Sequence, residues 1–286
     1  MSPQVNIFQE NFHIRANGKI LDLNSPKVMG ILNLTPDSFY AGSRIKNHAK
    51  LLKEAEKMID GGASILDLGA VSTRPGADPL SEDTELKRLL PALKLVRATF
   101  PEICISVDTF RSQVALASAE CGADIINDVF AGSFDDKMLK VVASTKLPYI
   151  LMHMKGIPST MQLNPEYKNV IRDVNTFFLN RIAEAEKCGI KQIIIDPGFG
   201  FGKSLTDNYV LLKNMTKLLQ LGKPILVGVS RKSMINKVLN IKPDLALNGT
   251  TVLNSLALLN GARIIRVHDV KEAFEVVQLI NFYKSV

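Results

Sequence analysis

GASILD, residues 62–67, combines two signals: a glycine that can turn the chain left-handed where a helix stops, and an apolar run that ends in a carboxylate. The same grammar returns in GADIIN (122–127), GIKQIIID (189–196) and GARIIR (261–266). Continuous Ile/Leu runs suit strands covered on both faces, so each repeat reads as the end of a helix followed by a buried strand. Further strands read as KVMGILN (27–33), CISVDT (104–109), YILMHM (149–154) and ILVGVS (225–230), bringing the count to eight. Between them, stretches such as HAKLLKEAEKMID, EDTELKRLLPALKLVRATF and VIRDVNTFFLNRIAEAEK carry apolar residues at helical spacing. Eight such units predict an α/β fold, a (β/α)8 TIM barrel, in preference to an open sheet. Ahead of the first strand, Asn17-Gly18 separates two extended runs, and an N-terminal β-hairpin within residues 1–25 is expected to cover the bottom of the barrel. No linker or low-complexity tract divides the chain, so residues 1–286 are expected to form one domain.

Composition narrows the function. A chain of 286 residues, 46% hydrophobic, can bury one large core. No apolar run approaches the ~18 residues needed to cross a bilayer, and MSPQVNIFQENF lacks the basic start and apolar centre of a signal peptide, so a soluble cytosolic protein without membrane partners is expected. Cys104, Cys121 and Cys188 are scattered through apolar segments without the close pairing that metal ligation favours, and read as reduced core residues. The net charge of +7 comes without any block of basic residues or any Trp, which argues against nucleic acid while leaving a small polyanionic substrate compatible.

DPGFGFGKS (196–204) has the look of a phosphate-wrapping loop but fails both nucleotide patterns. A Walker-type loop would need Gly where Pro197 stands, and Pro has no N–H to offer an anion. A dinucleotide fingerprint would need its third Gly at Lys203.

In a barrel of this kind the site lies at the C-terminal ends of the strands, and here those ends read Asn33, Asp67, Asp108, Asn127, His153, Asp196, Ser230 and the pair Arg266 with His268. Any one of them could simply brace its neighbours, Asp67 in particular. So many polar tips on apolar strands nevertheless point to a shared pocket for something polar. Arg266 and His268, two apart on a strand, face the same side and would grip phosphate oxygens. Alternatively Arg266 pairs with a buried carboxylate of the barrel. Asn33 offers a neutral oxygen acceptable to Mg²⁺ when substrate phosphates supply the rest.

VMGILNLTPDSF (28–39), STRPGAD (72–78), SVDTFR (106–111), INDV (126–129), DPGFGFGK (196–203), GVSRKS (228–233) and RIIRVHDV (263–270) together resemble the dihydropteroate synthases, pterin-binding enzymes of folate biosynthesis. The resemblance spans nearly the whole chain and implies condensation of a dihydropterin methyl diphosphate with 4-aminobenzoate, releasing pyrophosphate with Mg²⁺ as cofactor. It also implies a homodimer and sensitivity to sulfonamides. By the same resemblance Asp108, Asn127, Met152, Asp196 and Lys232 contact the pterin, though Met152 could equally be barrel filling. Thr73, Arg74, Arg266 and His268 take the diphosphate, Asn33 meets the metal, and Arg266, His268 and Lys232 assist bond cleavage. Phe39, Pro75, Phe201 and Ser233 surround 4-aminobenzoate, the two aromatics being loop anchors in the plainer reading. Two departures stand out. The first loop reads Ser38-Phe39-Tyr40-Ala41-Gly42-Ser43 where the family carries an Asp, and the second reads Gly69-Ala70-Val71-Ser72 where Gly-Gly-Glu-Ser is usual. Other readings are a corrinoid-linked methyltetrahydrofolate methyltransferase, which does not need the STRPG and RVH contacts, and a non-catalytic pterin-binding homologue.

Overall fold

The computed structural model describes residues 12–16, 18–34, 44–71, 80–156, 161 and 165–286. Among them a short antiparallel hairpin, β1 (His13–Ala16) and β2 (Lys19–Asp22), precedes a closed parallel barrel. The barrel strands are β3 (Lys27–Asn33), β4 (Ile65–Gly69), β5 (Cys104–Asp108), β6 (Ile125–Asp128), β7 (Tyr149–Met152), β8 (Ile193–Asp196), β9 (Ile225–Val227) and β10 (Ala262–Val267), with β10 closing against β3. The helices between them are α1 (Arg44–Asp60), α2 (Glu82–Thr99), α3 (Ser112–Glu120), α4 (Met138–Thr145), α5 (Val170–Lys187), α6 (Leu205–Lys213), α7 (Ser233–Leu239), α8 (Leu247–Leu259) and α9 (Val270–Ser285).

The repeated glycines act as the sequence predicts. Gly62, Gly122, Gly189 and Gly261 have φ between 96° and 99°, the left-handed region in which a side chain would be strained. Each sits just past a helix and hands the chain to the next strand. Several strands are shorter than expected, β5 by one residue at Thr109. β9 stops at Val227 instead of residue 230, β7 at Met152 instead of 154, and β8 begins at Ile193. Beyond β9 the chain must curl to place Arg231 at φ 57°, a conformation no strand can hold.

Each barrel strand sends one side chain to the bottom layer: Met29, Ile65, Cys104, Ile125, Ile150, Ile194, Leu226 and Ile264. The hairpin closes that layer with Ile14, Ala16 and Leu23, as expected; Asn17 of its turn lies outside the described residues. Arg263 ties the hairpin down by donating to the Asn24 carbonyl at 2.7 Å, with its guanidinium over the Phe12 ring. With the bottom plugged by apolar groups, the polar strand tips gather at the opposite rim. Among the described residues no helix is long and apolar enough to cross a membrane.

Candidate active site at the barrel rim

Strand register brings the polar tips level. Asn33 lies opposite Gly69, Gly69 opposite Asp108, Asp108 opposite Asn127, and Met152 opposite Asp196. Gly69 matters here because a Cβ at that position would sit 3.3 Å from Cβ of Asp108, crowding the carboxylate that must stand beside it.

Asp67 and Arg266 organise the centre. Asp67, fully buried, accepts from Arg266 Nε at 2.6 Å and from Asn127 Nδ2 at 3.2 Å. The same guanidinium donates through Nη2 to Asp108 at 2.9 Å. Both sequence-based alternatives are thus realised: Asp67 braces its neighbours, and Arg266 pairs with a buried carboxylate, Asp67, as well as with the half-buried Asp108. Burial disfavours the charge on Arg266, but Asp67 and Asp108 outweigh it and hold the guanidinium above its ordinary range. For Asp108, burial pushes the carboxyl up while Arg266 pulls it back.

Asp196 and Lys232 stand beside this group. A Cβ built on Gly228 would lie 3.8 Å from Lys232 Nζ and 3.9 Å from Arg266 Cβ, so the two cations flank one small residue. Asp196 accepts from the Gly198 N–H at 2.8 Å, and Lys232 donates to the Phe199 carbonyl at 2.6 Å with its ammonium 4.6 Å from the centre of the Phe201 ring. Burial raises Asp196, opposed chiefly by Lys232. Burial lowers Lys232 to about 8, opposed by Asp196. Met152 is buried at the end of β7. His268 and Ser230 form a local pair, Oγ to Nδ1 at 3.0 Å, with Ser230 also accepting from the His268 N–H at 3.2 Å.

Two braces were not visible in the sequence. Arg231, in its left-handed conformation, binds Asp269 with a two-pronged ion pair at 2.9 and 2.6 Å, joining the Ser230-to-Ser233 turn to the segment that follows Arg266 and His268. Glu85 of α2, fully buried, accepts from Thr109 Oγ1 at 2.6 Å and pairs with Arg111, which also donates to the Leu80 carbonyl. The signal for both was slight: Arg111, Arg231 and Asp269 stand within the motifs quoted above, but each has its partner far away in sequence.

His153 corrects the expectation of a rim set that converges on one pocket. It packs edge-on to Phe177 at 4.8 Å and meets Lys203 at 2.9 Å, behind the loop after β8. Burial, with the neighbouring Lys203 charge, lowers it to about 2 and keeps the ring neutral. A cleft of about 450 Å³ between α6 and α7 adjoins Ser233 and is lined also by Ser204, Asn208 and Lys237.

The sequence profile of the pterin binding enzymes matches residues 29–268. The dihydropteroate synthase of Escherichia coli is 45% identical over 93% of this chain and 94% of its own, and that of Haemophilus influenzae 44% identical over 92% and 96%. The chain belongs to the dihydropteroate synthase family of pterin-binding enzymes. Solved dihydropteroate synthases superpose closely. One from Yersinia pestis in a sulfonamide complex has a TM-score of 0.91 at 42% identity, covering 96% of this chain and all of that one. One from Xanthomonas albilineans with 4-aminobenzoic acid has 0.90 at 36% identity, covering 96% and 99%.

Of the residues the dihydropteroate synthase pattern singles out, Asn33, Asp108, Asn127, Met152, Asp196, Phe201, Lys232, Ser233, Arg266 and His268 occur on strand tips and loops of the same rim. Phe39, Thr73, Arg74 and Pro75, with Ala41 of the altered first loop, lie outside the described residues. Ala70 is buried and Val71 half-buried, directly after β4. Among the described residues no group of three or more His, Cys, Asp or Glu could hold a metal. The exposed Asn33 offers one neutral oxygen, a donor set that fits Mg²⁺ only where substrate phosphates and water complete the shell.

Proposed function

We propose that this chain condenses (dihydropterin-6-yl)methyl diphosphate with 4-aminobenzoate to give dihydropteroate and pyrophosphate. The observation that carries the reading is the connected set Asp67, Arg266, Asp108 and Asn127 at the rim, with Asp196 and Lys232 beside it, in a chain so close to named dihydropteroate synthases.

Recognition of the pterin falls to fixed donors and acceptors. An ionised Asp196 accepts from the pterin's amino group and adjacent ring N–H, a charged acceptor meeting two donors in a dry slot. Asn127, held by Asp67, meets the neighbouring ring nitrogen and amino group. Asp108 takes the edge of the reduced ring, Lys232 donates to its carbonyl side, and Met152 packs on its face. Arg266 and His268, with Thr73 and Arg74, receive the diphosphate. Asn33 would hold Mg²⁺, which when bound neutralises charge on the departing phosphates.

The bond from the pterin methylene carbon to the diphosphate oxygen breaks with its electron pair leaving on pyrophosphate. The arylamine lone pair forms the new C–N bond, and its proton is lost to solvent afterwards. Arg266 is suited to this because its charge is kept by two carboxylates and its orientation is set before substrate arrives, so no reorganisation is needed as charge develops. Lys232 and the ring of Phe201 border the slot for 4-aminobenzoate, a role the family pattern also gives to Phe39 and Pro75, and Ser233 at the start of α7 receives its carboxylate. Sulfonamides, as arylamines of the same outline, would compete there.

The chain would act as one pterin-binding barrel domain, in the cytosol and as a homodimer. Supporting the last point, α8 exposes Val252, Leu256 and Leu259, and the adjoining α9 exposes Leu279, Phe282 and Tyr283, apolar area better covered than left in water. The test is pyrophosphate release on mixing enzyme, Mg²⁺ and both substrates, with a sulfonamide as competitor. Release only when both substrates are present, suppressed by sulfonamide, is expected. Pterin binding without pyrophosphate release would overturn the reading in favour of a non-catalytic binder.

A further inference from the structure

We infer that Lys203 is a positioning residue for this reaction: its ammonium, enclosed by the loop after β8, fixes the backbone that in turn aims Asp196 and Lys232. The inference rests on the pterin reading of the site and deepens it.

Lys203 is 2% exposed and meets four acceptors: Gly198 O at 2.8 Å, His153 Nδ1 at 2.9 Å, Phe201 O at 3.1 Å and His153 O at 3.3 Å. None is a carboxylate. An ammonium has three N–H groups, so all are spent on the protein and none is offered to a ligand phosphate. This is why the nucleotide-like sequence of the loop misleads: its lysine points inward.

The enclosed geometry depends on glycine. A Cβ at Gly198 would come within 1.9 Å of the His153 carbonyl oxygen, and one at Gly202 within 2.1 Å of that of Lys155. Both residues also have positive φ, at 66° and 60°. Backbone packed so closely brings several carbonyls to one point, and a buried cation offsets their mutual repulsion.

The consequence reaches the site through single peptides. The residue whose carbonyl Lys203 holds most closely, Gly198, gives its N–H to Asp196 at 2.8 Å. The next, Phe199, gives its carbonyl to Lys232 at 2.6 Å. The two oppositely charged groups assigned to the pterin are therefore each tethered to the segment that Lys203 anchors. Lys203 touches neither the substrate nor the reacting atoms.

Charge adds a second effect. Asp196 is faced by Lys232, by Arg266 of β10 and by Lys203, which together oppose the rise that burial imposes. Lys203 itself is lowered to about 7 by burial, partly offset by Asp196 and Asp207, while Lys232 lowers it further and His153 stays neutral beside it. Removing its charge therefore moves Asp196 toward the protonated form, which cannot accept from two pterin donors.

The test compares wild type, Lys203→Met, Lys203→Gln and Tyr167→Phe. The last removes a different side-chain tether of the same loop, Tyr167 Oη to Gly202 O at 2.9 Å, without changing charge. Binding of 6-hydroxymethylpterin is followed by fluorescence across pH, with steady-state kinetics for both substrates. For Lys203→Met we expect KM for the pterin diphosphate to rise about tenfold or more, KM for 4-aminobenzoate to change far less, and the acid limb of pterin binding to move up by about 1 pH unit. Lys203→Gln should move the limb similarly with a smaller loss of affinity, and it decides the matter if the Met variant does not fold. Tyr167→Phe should leave the limb in place. An unmoved limb in the lysine variants, or equal losses for both substrates, would overturn the inference. Absence of pterin binding by the wild type would overturn the functional reading, and this inference with it.

Discussion

Arg266 and Asp67, 199 residues apart in sequence, meet at 2.6 Å across the top of the barrel, and Asp67 holds Asn127 with the same carboxylate. Asp67, assigned to neither substrate, thus holds two residues of the site's machinery. Asp67→Ala should leave Arg266 with Asp108 as its remaining ion pair and Asn127 without its brace. We expect a stability loss of about 3 kcal/mol, as for other broken buried pairs, and a fall in kcat/KM for the pterin substrate of about a hundredfold. Urea unfolding with steady-state kinetics checks both, and an unaffected kcat/KM would show that the bracing is dispensable.

Arg266 and Asp196 should fail differently. Arg266→Lys keeps the charge but loses the fork that spans Asp67 and Asp108, so turnover should drop about tenfold or more while affinity for a pterin lacking diphosphate changes little. Asp196→Ala should abolish pterin affinity with or without the diphosphate. Calorimetry with both pterins separates the two, and matching losses in the two variants would contradict the assigned roles.

Arg231 and Asp269 tie the turn that carries Lys232 to the segment after His268. Arg231→Ala and Asp269→Ala should each lower turnover, and the double variant should be little worse than either. A coupling free energy of about 1 kcal/mol is expected for this partly exposed pair, read from a double-mutant cycle on kcat/KM. Simple additivity would mean that the ion pair does not transmit to the site.

His153 predicts a pH dependence. Its folded-state value is lowered to about 2, against an ordinary value of 6.5, so below pH 6.5 the unfolded chain takes up a proton that the folded one refuses. Stability contributed by this group is present above 6.5 and lost as pH falls, amounting to about 2 kcal/mol near pH 5. His153→Gln should flatten the fall in melting temperature between about pH 6.5 and pH 5. Parallel slopes in variant and wild type would show that the ring is protonated inside the fold.

The barrel and its plugged bottom were legible because their signals are local. A glycine past each helix, an unbroken Ile/Leu run and a polar tip lie within a few residues of one another, and the register of a parallel barrel then carries Asn33, Asp108, Asn127, Asp196 and Arg266 to one rim without further information. What each tip does there was not legible. His153 and Asp67 are both polar ends of strands, yet one packs behind a loop and the other braces the centre. Lys203 sits in a glycine-rich stretch that mimics a phosphate loop, and Arg231 meets Asp269, 38 positions further along the chain. Periodicity fixes which face of an element is buried, so the sequence alone determined the architecture and the rim at which the polar tips gather. Which buried charge finds which partner depends on loops that cross between strands after the barrel has closed, and that pairing was decided by the tertiary structure.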